Sequence, residues 1–295
     1  MWILADSLYR YWFECELNFV TLIVMKILDG RELAEYVKDR QARQVRALRQ
    51  AWEVFPKLAI VQTTDNPVID AYVRLKQSYG EDILVDVEIH KVAQADTMQT
   101  IALLNDDESV HGIIIQLPLA DESATDEAVN AVTPEKDVDG LGENATLTPA
   151  TAMAIDWLLA GYNVELRNRP IAIVGNGRLV GAPLAALWAT AGYNVTVCDS
   201  KTPDLGAVIK QSEIVITATG VPGLIDTTIL QPGAVVVDAG TAAEHGKIVG
   251  DLAANVRERG DLTITPEKGG VGPLTVTALF ENVIRAAQAT VKTKQ

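Results

Sequence analysis

Apolar positions along the chain follow two alternating periods. Leu33, Val37, Val45, Leu48 and Trp52 share one face of a helix, and Lys57 to Gln62 then runs as a short apolar strand. Asn66-Pro67 opens a helix expected to last until about Tyr79 with Gly80 as its stop, and Ile83 to Val92 alternates as a strand. Residues 95–105 read as a helix. His111 to Gln116 is a strand apolar at consecutive positions, the pattern of a sheet covered on both faces. A second series predicts helix 149–161, strand 170–175, helix 178–191 and strands 194–198, 214–218 and 234–238. Strands interleaved with helices imply parallel sheets and an α/β class. The turn-forming stretch Thr133-Pro-Glu-Lys-Asp-Val-Asp-Gly-Leu-Gly142 is the candidate boundary between two units.

A length of 295 residues suits one large or two ordinary domains, and 48% hydrophobic residues supply a core. The 39 acidic residues against 25 basic ones give a net charge of −14, which argues against nucleic acid or an anionic membrane as partner. Two cysteines, Cys15 and Cys198, and three scattered histidines, His90, His111 and His245, offer neither a disulfide framework nor metal-ligand spacing, so no metal is expected. The apolar run Phe19 to Met25 falls short of the ~20 residues a spanning helix needs, and no basic segment precedes it, so a cytoplasmic location is expected. Residues 1–24 stand apart, with Trp2, Tyr9, Tyr11, Trp12, Phe13 and Phe19 crowded into them. They are expected to be an extension outside the domain or the product of a start assigned too early. The alternative is a docking segment that covers an apolar patch.

The clearest motif is Val174-Gly-Asn-Gly-Arg-Leu-Val-Gly-Ala-Pro183, a glycine loop between an apolar strand and a helical run. Gly175, Gly177 and Gly181 let the backbone turn and approach a pyrophosphate, whose charge meets the N–H groups of the helix start. Asp199 ends the next strand, 24 residues after Gly175, where a carboxylate can accept from ribose hydroxyls. The first half adds Tyr72 and Lys76, i,i+4 on one helical face, and Gln116 at the carboxyl end of an apolar strand. Taken singly, each has a bland reading: a half-buried ring, a solvated charge, a strand terminus, and for Asp139 a turn former.

Together these residues resemble the bifunctional methylenetetrahydrofolate dehydrogenase/methenyltetrahydrofolate cyclohydrolase family, from about Met25 to about residue 290. The resemblance rests on Tyr72-Val-Arg-Leu-Lys76, Gln116-Leu-Pro-Leu, Lys136-Asp-Val-Asp-Gly140, the Gly175 to Pro183 loop, Gly220-Val-Pro-Gly223, Gly246-Lys-Ile-Val-Gly-Asp251 and Gly269-Gly-Val-Gly-Pro273, with Asn105-Asp-Asp ahead of the Gln116 strand. It implies a folate-binding catalytic domain over 25–147, joined by a terminal helix, 273–295, that returns to it, and a Rossmann-type NAD(P)-binding domain over 148–268. Lys76 would be the catalytic amine, tuned by Gln116; Tyr72 would stack on the aminobenzoyl ring; Asp139 would pair with the pterin edge. Gly270, Gly272 and Pro273 would line the cleft. Gly175, Asn176, Gly177, Arg178, Gly181, Asp199, Ser200, Gly220, Pro222 and Thr241 would hold the dinucleotide. The implied partners are a folate substrate and a second copy, in a homodimer.

The chain departs from the family in ways that bear on cofactor choice. Asn176-Gly177 replaces the usual Arg-Ser, and Asp199-Ser-Lys-Thr202 replaces His-Ser-x-Thr, so two features suited to a 2′-phosphate are gone. NADP is the family's usual cofactor, whereas Asp199 and Gly177 favour NAD here; Arg178 and Lys201 favour the phosphate. Glu267-Lys268, Ile69 and Pro149-Ala-Thr-Ala152 depart too. Two other readings stay open on the sequence: a different Rossmann-type dehydrogenase of a small acid, and a folate- or nucleotide-binding protein without catalysis.

Overall fold

A computed structural model describes residues 25–244 and 247–293. The expectations for residues 1–24, and the placement of His245 and Gly246, lie outside them. The first half runs β1 (Lys26–Ile27), α1 (Gly30–Trp52), β2 (Lys57–Gln62), α2 (Pro67–Ile83), β3 (Asp86–Lys91), α3 (Thr97–Asp106), β4 (Gly112–Ile115) and α4 (Thr125–Ala131). The second runs α5 (Ala150–Gly161), β5 (Ile171–Val174), α6 (Gly181–Thr190), β6 (Val195–Cys198), α7 (Leu205–Gln211), β7 (Ile214–Thr217), β8 (Val235–Asp238), β9 (Ala242–Glu244), β10 (Lys247–Val249), β11 (Thr263–Ile264) and α8 (Val271–Thr293).

Two parallel sheets result, one of three strands in the order β3-β2-β4 and one of six in the order β1-β11-β8-β7-β5-β6. This is the two-domain α/β class read from the sequence. β1 pairs with β11, so Lys26 and Ile27 belong to the second sheet although they precede the first domain in the chain. β9 and β10 form a separate antiparallel hairpin.

Three apolar clusters fill the molecule. One lies on the outer face of the three-stranded sheet around Ile113 and Leu104, and one on the outer face of the six-stranded sheet around Val215 and Leu262. The largest is shared: Leu58 and Ile60 of the first sheet and Ile171 and Val237 of the second meet the helices between them. At its centre α8 packs against α1, α2, α5 and β4, which is the expected return of the terminal helix. The Tyr79 and Phe280 rings stack there at 5.0 Å between centroids.

Helix α2 shows how local chemistry sets the frame of the site. Asn66 accepts from the Val68 N–H at 2.9 Å as N-cap, and Pro67 takes the first helical position, where its missing N–H costs nothing. The expected stop at Gly80 is corrected. The helix continues to Ile83 and ends at Leu84, whose φ of 65° is left-handed, while the Val85 N–H closes the end on the Gly80 carbonyl at 2.9 Å. Gly80 is there for approach, since a Cβ would lie 2.5 Å from Val87 Cγ2 and 2.8 Å from the Val85 carbonyl oxygen. Ile83, read as a strand residue, is therefore the last helical one. α4 and α7 span only 7 residues each and went unread because so short a run shows no period.

Gly80→Ala tests the packing role. If glycine served only to end a helix, alanine would stabilise it; the close contacts instead predict a loss of about 1–3 kcal/mol in urea unfolding. A raised midpoint would mean that the helix has room at this position.

Candidate active site

Lys76 Nζ donates to Gln116 Oε1 at 2.7 Å, across from α2 to the residue that follows β4. Gln116 is itself fixed: its N–H donates to the Val61 carbonyl at 2.9 Å and its Nε2 to the Leu117 carbonyl at 3.1 Å. Burial pushes the Lys76 amine below the ordinary lysine range, and the Asp139 carboxylate opposes that shift. Burial raises the Asp139 carboxyl to about 6, with the Lys76 ammonium opposing and Asp137 reinforcing. Tyr72 is half-buried one turn before Lys76, and burial raises its phenol. The structure thus brings Tyr72, Lys76, Gln116 and Asp139 to one place.

Asp139 sits in a loop whose shape is set by its neighbours. The Asp137 carboxylate accepts from the N–H groups of Gly140 at 2.9 Å and Gly142 at 2.8 Å, which folds the chain back on itself. The Ile113 N–H donates to the Lys136 carbonyl at 2.8 Å, tying the loop to β4. Lys136 serves as a cap: its ammonium donates to the carbonyls of Leu104, Asn105 and Asp107 at the end of α3. Among the described residues, none donates a hydrogen bond to the Asp139 carboxylate, so its oxygens are available to a ligand.

The second half-site lies at the carboxyl edge of the six-stranded sheet. From β5 the chain passes to β6 on one side and then to β7 on the other, so a crevice opens beside β5, where such sheets bind ligands. Gly175 turns there with a φ of 106°, and a Cβ on it would lie 2.4 Å from the Ala218 carbonyl oxygen. A Cβ on Gly181 would lie 1.8 Å from the Gly175 carbonyl oxygen, so the third glycine lets α6 meet the strand. Gly177 has open space around it, and Val180 caps α6 without a side-chain hydrogen bond. This cradle fits a dinucleotide pyrophosphate, which would lie along the open N–H groups of the loop.

Asn176, Arg178, Asp199, Ser200, Pro222 and Thr241 are exposed around the same edge, with Gly220 half-buried. Asp199 Oδ1 accepts from the Lys201 N–H at 2.8 Å. Arg178 is ion-paired with Asp126 of α4, which joins the glycine loop to the segment that follows Gln116. That pair links the two half-sites.

The terminal glycine motif divides in two. Gly270 is buried, and a Cβ on Gly30 would lie 1.8 Å from its carbonyl oxygen; the Gly30 N–H donates to the Gly269 carbonyl at 2.8 Å. Gly272 is exposed with nothing near its missing Cβ, and Pro273 is half-buried in the first turn of α8. Sequence reasoning missed the residues that hold these parts. Asn282 in α8, fully buried, donates to the carbonyls of Val138 at 2.8 Å and Thr148 at 2.9 Å, pinning the Asp139 loop to the helix. A buried amide in an apolar helical stripe was its only signal. Among the described residues no cluster has metal-ligand geometry, and no helix is long and apolar enough to cross a membrane.

A lysine–glutamine pair beside a free carboxylate, facing a Rossmann-type cradle, defines a two-domain dinucleotide-dependent enzyme. The catalytic-domain model of tetrahydrofolate dehydrogenase/cyclohydrolase matches residues 28–139, and its NAD(P)-binding-domain model matches residues 149–291. The bifunctional protein FolD of Chloroflexus aurantiacus is 39% identical over 279 residues, covering 89% of this chain and 97% of the relative. The crystal structure of the bifunctional methylenetetrahydrofolate dehydrogenase/cyclohydrolase FolD of Campylobacter jejuni superimposes with a TM-score of 0.84 at 32% identity, covering 90% of this chain and 99% of that one. The FolD of Trypanosoma brucei, solved with NADP and an inhibitor, gives 0.85 at 29% identity, covering 91% and 99%. The chain belongs to the tetrahydrofolate dehydrogenase/cyclohydrolase family.

The Asp139 carboxyl gives a direct electrostatic test. Its folded pKa lies above the usual value, so its contribution to stability is complete below about pH 4 and is lost as pH rises through about 6. Lys76→Met removes the ammonium that opposes the shift, so the Asp139 midpoint is expected to rise above its wild-type value. Carboxyl-carbon NMR titration reads both proteins; a midpoint that falls in the variant would show that the two groups do not interact as the geometry requires.

Proposed function

We propose that this chain oxidises 5,10-methylenetetrahydrofolate to 5,10-methenyltetrahydrofolate with NAD(P)+ and hydrolyses the product to 10-formyltetrahydrofolate. The observation that carries the reading is the Lys76 amine on Gln116 Oε1 beside the free Asp139 carboxylate, in a chain of this family. The dinucleotide, when bound, takes up the hydride that leaves the methylene carbon. Tyr72 would stack on the aminobenzoyl ring, and Asp139 would accept from the amino-pyrimidine edge of the pterin. Gly270, Gly272 and Pro273 would border the pterin, with Gly272 leaving the open space. Removal of hydride leaves a cation on the methenyl bridge, and water adds to its carbon. Both protons must then leave the added oxygen, one released to solvent and one delivered to N5 as the carbon–N5 bond breaks and the formyl C=O forms. An amine whose pKa is lowered by burial can carry that proton, and Gln116 holds it in place.

A folate substrate is thus the partner of the first half-site; a cytoplasmic location and a homodimer complete the proposal. We assign residues 25–147 with 273–295 to the folate half and 148–268 to the dinucleotide half, except that Lys26 and Ile27 pair into the six-stranded sheet of the latter. Gly175, Asn176, Gly177, Arg178, Gly181, Asp199, Ser200, Gly220, Pro222 and Thr241 would contact the dinucleotide. Asp199 favours NAD: one of its oxygens is held by Lys201 N–H, and its negative charge at the ribose opposes a 2′-phosphate. The pairing of Arg178 with Asp126 engages its guanidinium with α4, which supports the same preference.

Lys76→Met is expected to slow conversion of methenyl- to 10-formyltetrahydrofolate by at least about 10²-fold while folate binding is retained. An undiminished rate at neutral pH removes Lys76 from the mechanism. Initial rates with each dinucleotide at fixed methylenetetrahydrofolate should show NAD used at least as well as NADP, and Asp199→Ser should move the preference toward NADP. Strong NADP preference in the wild type, unchanged in the variant, would assign the choice to the cations instead.

A further inference from the structure

Asp251 is fully buried, and no cation pairs with it among the described residues. Its carboxylate gathers three donors from the segment after β7. Oδ2 accepts from the Thr217 hydroxyl at 2.6 Å and the Thr219 N–H at 2.7 Å, and Oδ1 accepts from the Val221 N–H at 3.0 Å. The same carboxylate presses on the loop after β8, where a Cβ on Gly240 would lie 2.1 Å from Oδ1.

Asp238, at the end of β8, returns the arrangement. Its carboxylate accepts from the N–H groups of Gly240 at 3.1 Å and Asp251 at 3.0 Å, and from Arg257 Nη2 at 3.0 Å. A Cβ on Gly250 would lie 2.0 Å from its Oδ2. Each aspartate therefore sits against the glycine beside the other, and the two loops lock together. The locked loops are those at the crevice. Ala218 meets Gly175 of the glycine turn, and a Cβ on Gly220 would lie 3.3 Å from the Thr241 carbonyl oxygen.

We propose that Asp251 is a positioning residue of the dinucleotide site: its carboxylate clamps Thr217, Thr219 and Val221 and seats Gly240, so that the loops carrying Gly220 and Thr241 hold one shape at the edge where the dinucleotide lies. The inference rests on the proposed function, because it presumes that a dinucleotide occupies that edge. A carboxylate is required since each of its oxygens meets a backbone N–H, Thr219 at Oδ2 and Val221 at Oδ1, which can only donate. An asparagine would turn its own NH₂ toward one of them, losing a hydrogen bond and opposing donor to donor.

Asp251→Asn is expected to raise the dinucleotide KM of the dehydrogenase by about tenfold or more, while the methylenetetrahydrofolate KM stays within about twofold. The cyclohydrolase rate, started from methenyltetrahydrofolate without dinucleotide, serves as the internal control and should also stay within about twofold. Gly240→Ala provides a second route: its Cβ displaces the same carboxylate without changing its chemistry, and the same split is expected. It decides the matter if Asp251→Asn fails to fold. Parallel loss of both activities, or an unchanged dinucleotide KM, overturns the proposal. NADH and NADPH fluorescence titrations of wild type and variants separate the two layers. A wild type that binds no dinucleotide overturns the proposed function and this inference with it; a wild type and variants that bind equally overturn the inference alone.

Discussion

Helix α8 lies between the two sheets, and the cleft takes its geometry from that burial. From Leu274 to Ala287 nearly every position is enclosed, so the helix cannot shift without opening the shared core. Several of its polar groups are tied to neighbouring elements. Gln41 of α1 donates to the Thr277 carbonyl at 2.9 Å and accepts from the Tyr79 hydroxyl at 2.7 Å, while Arg40 pairs with Glu281 at 2.7 Å. Through α2 this fixes the helix that carries Lys76, and through Asn282 it fixes the loop that carries Asp139. Lys76 and Asp139, from distant parts of the first domain, thus share one reference, and it comes from the far end of the chain.

That rigidity is what allows the site to hold charges in an unfavourable setting. Burial disfavours both the Lys76 ammonium and the Asp139 carboxylate, and each relieves the other only in part. A pliable site would relax by drawing the two into direct contact or by admitting water. Here Lys76 is spent on Gln116 and the Asp139 loop is tied back by Asp137 and Asn282, so the carboxylate stays open to a ligand and the amine stays below its ordinary range. The cost is borne by the packed surroundings, as it is at strained functional sites generally.

Much of this was legible in the sequence, for reasons that particular elements make plain. Strand β4 announces itself by four consecutive buried apolar residues, and α2 by its Asn-Pro start and its apolar spacing. The quartet of Tyr72, Lys76, Gln116 and Asp139 was readable because motif wording preserves order. Contacts between segments far apart in the chain were not readable. Nothing in the spacing of Lys26 and Thr263 says that they pair, two-residue strands carry no period, and Asn282 is silent until its carbonyl partners, 134 and 144 residues away, are in place. Asp251 stood inside a quoted motif without a role, because its function is to gather backbone N–H groups and such partners leave no side-chain signature.

The glycine motifs show where wording and physics part. In the sequence the glycines of the Gly175 and Gly269 loops read alike, as positions that make room for ligand. In the structure Gly181 and Gly30 make room for the protein's own backbone: one lets α6 touch the turn after β5, the other lets α1 begin against the carbonyl of Gly270 in the terminal motif. Gly177 and Gly272 have nothing beside their missing Cβ atoms. A close-packed glycine sets the distance between elements, whereas an open one leaves its stretch of backbone uncovered. The distances between the elements that carry the site residues are therefore set by the first kind.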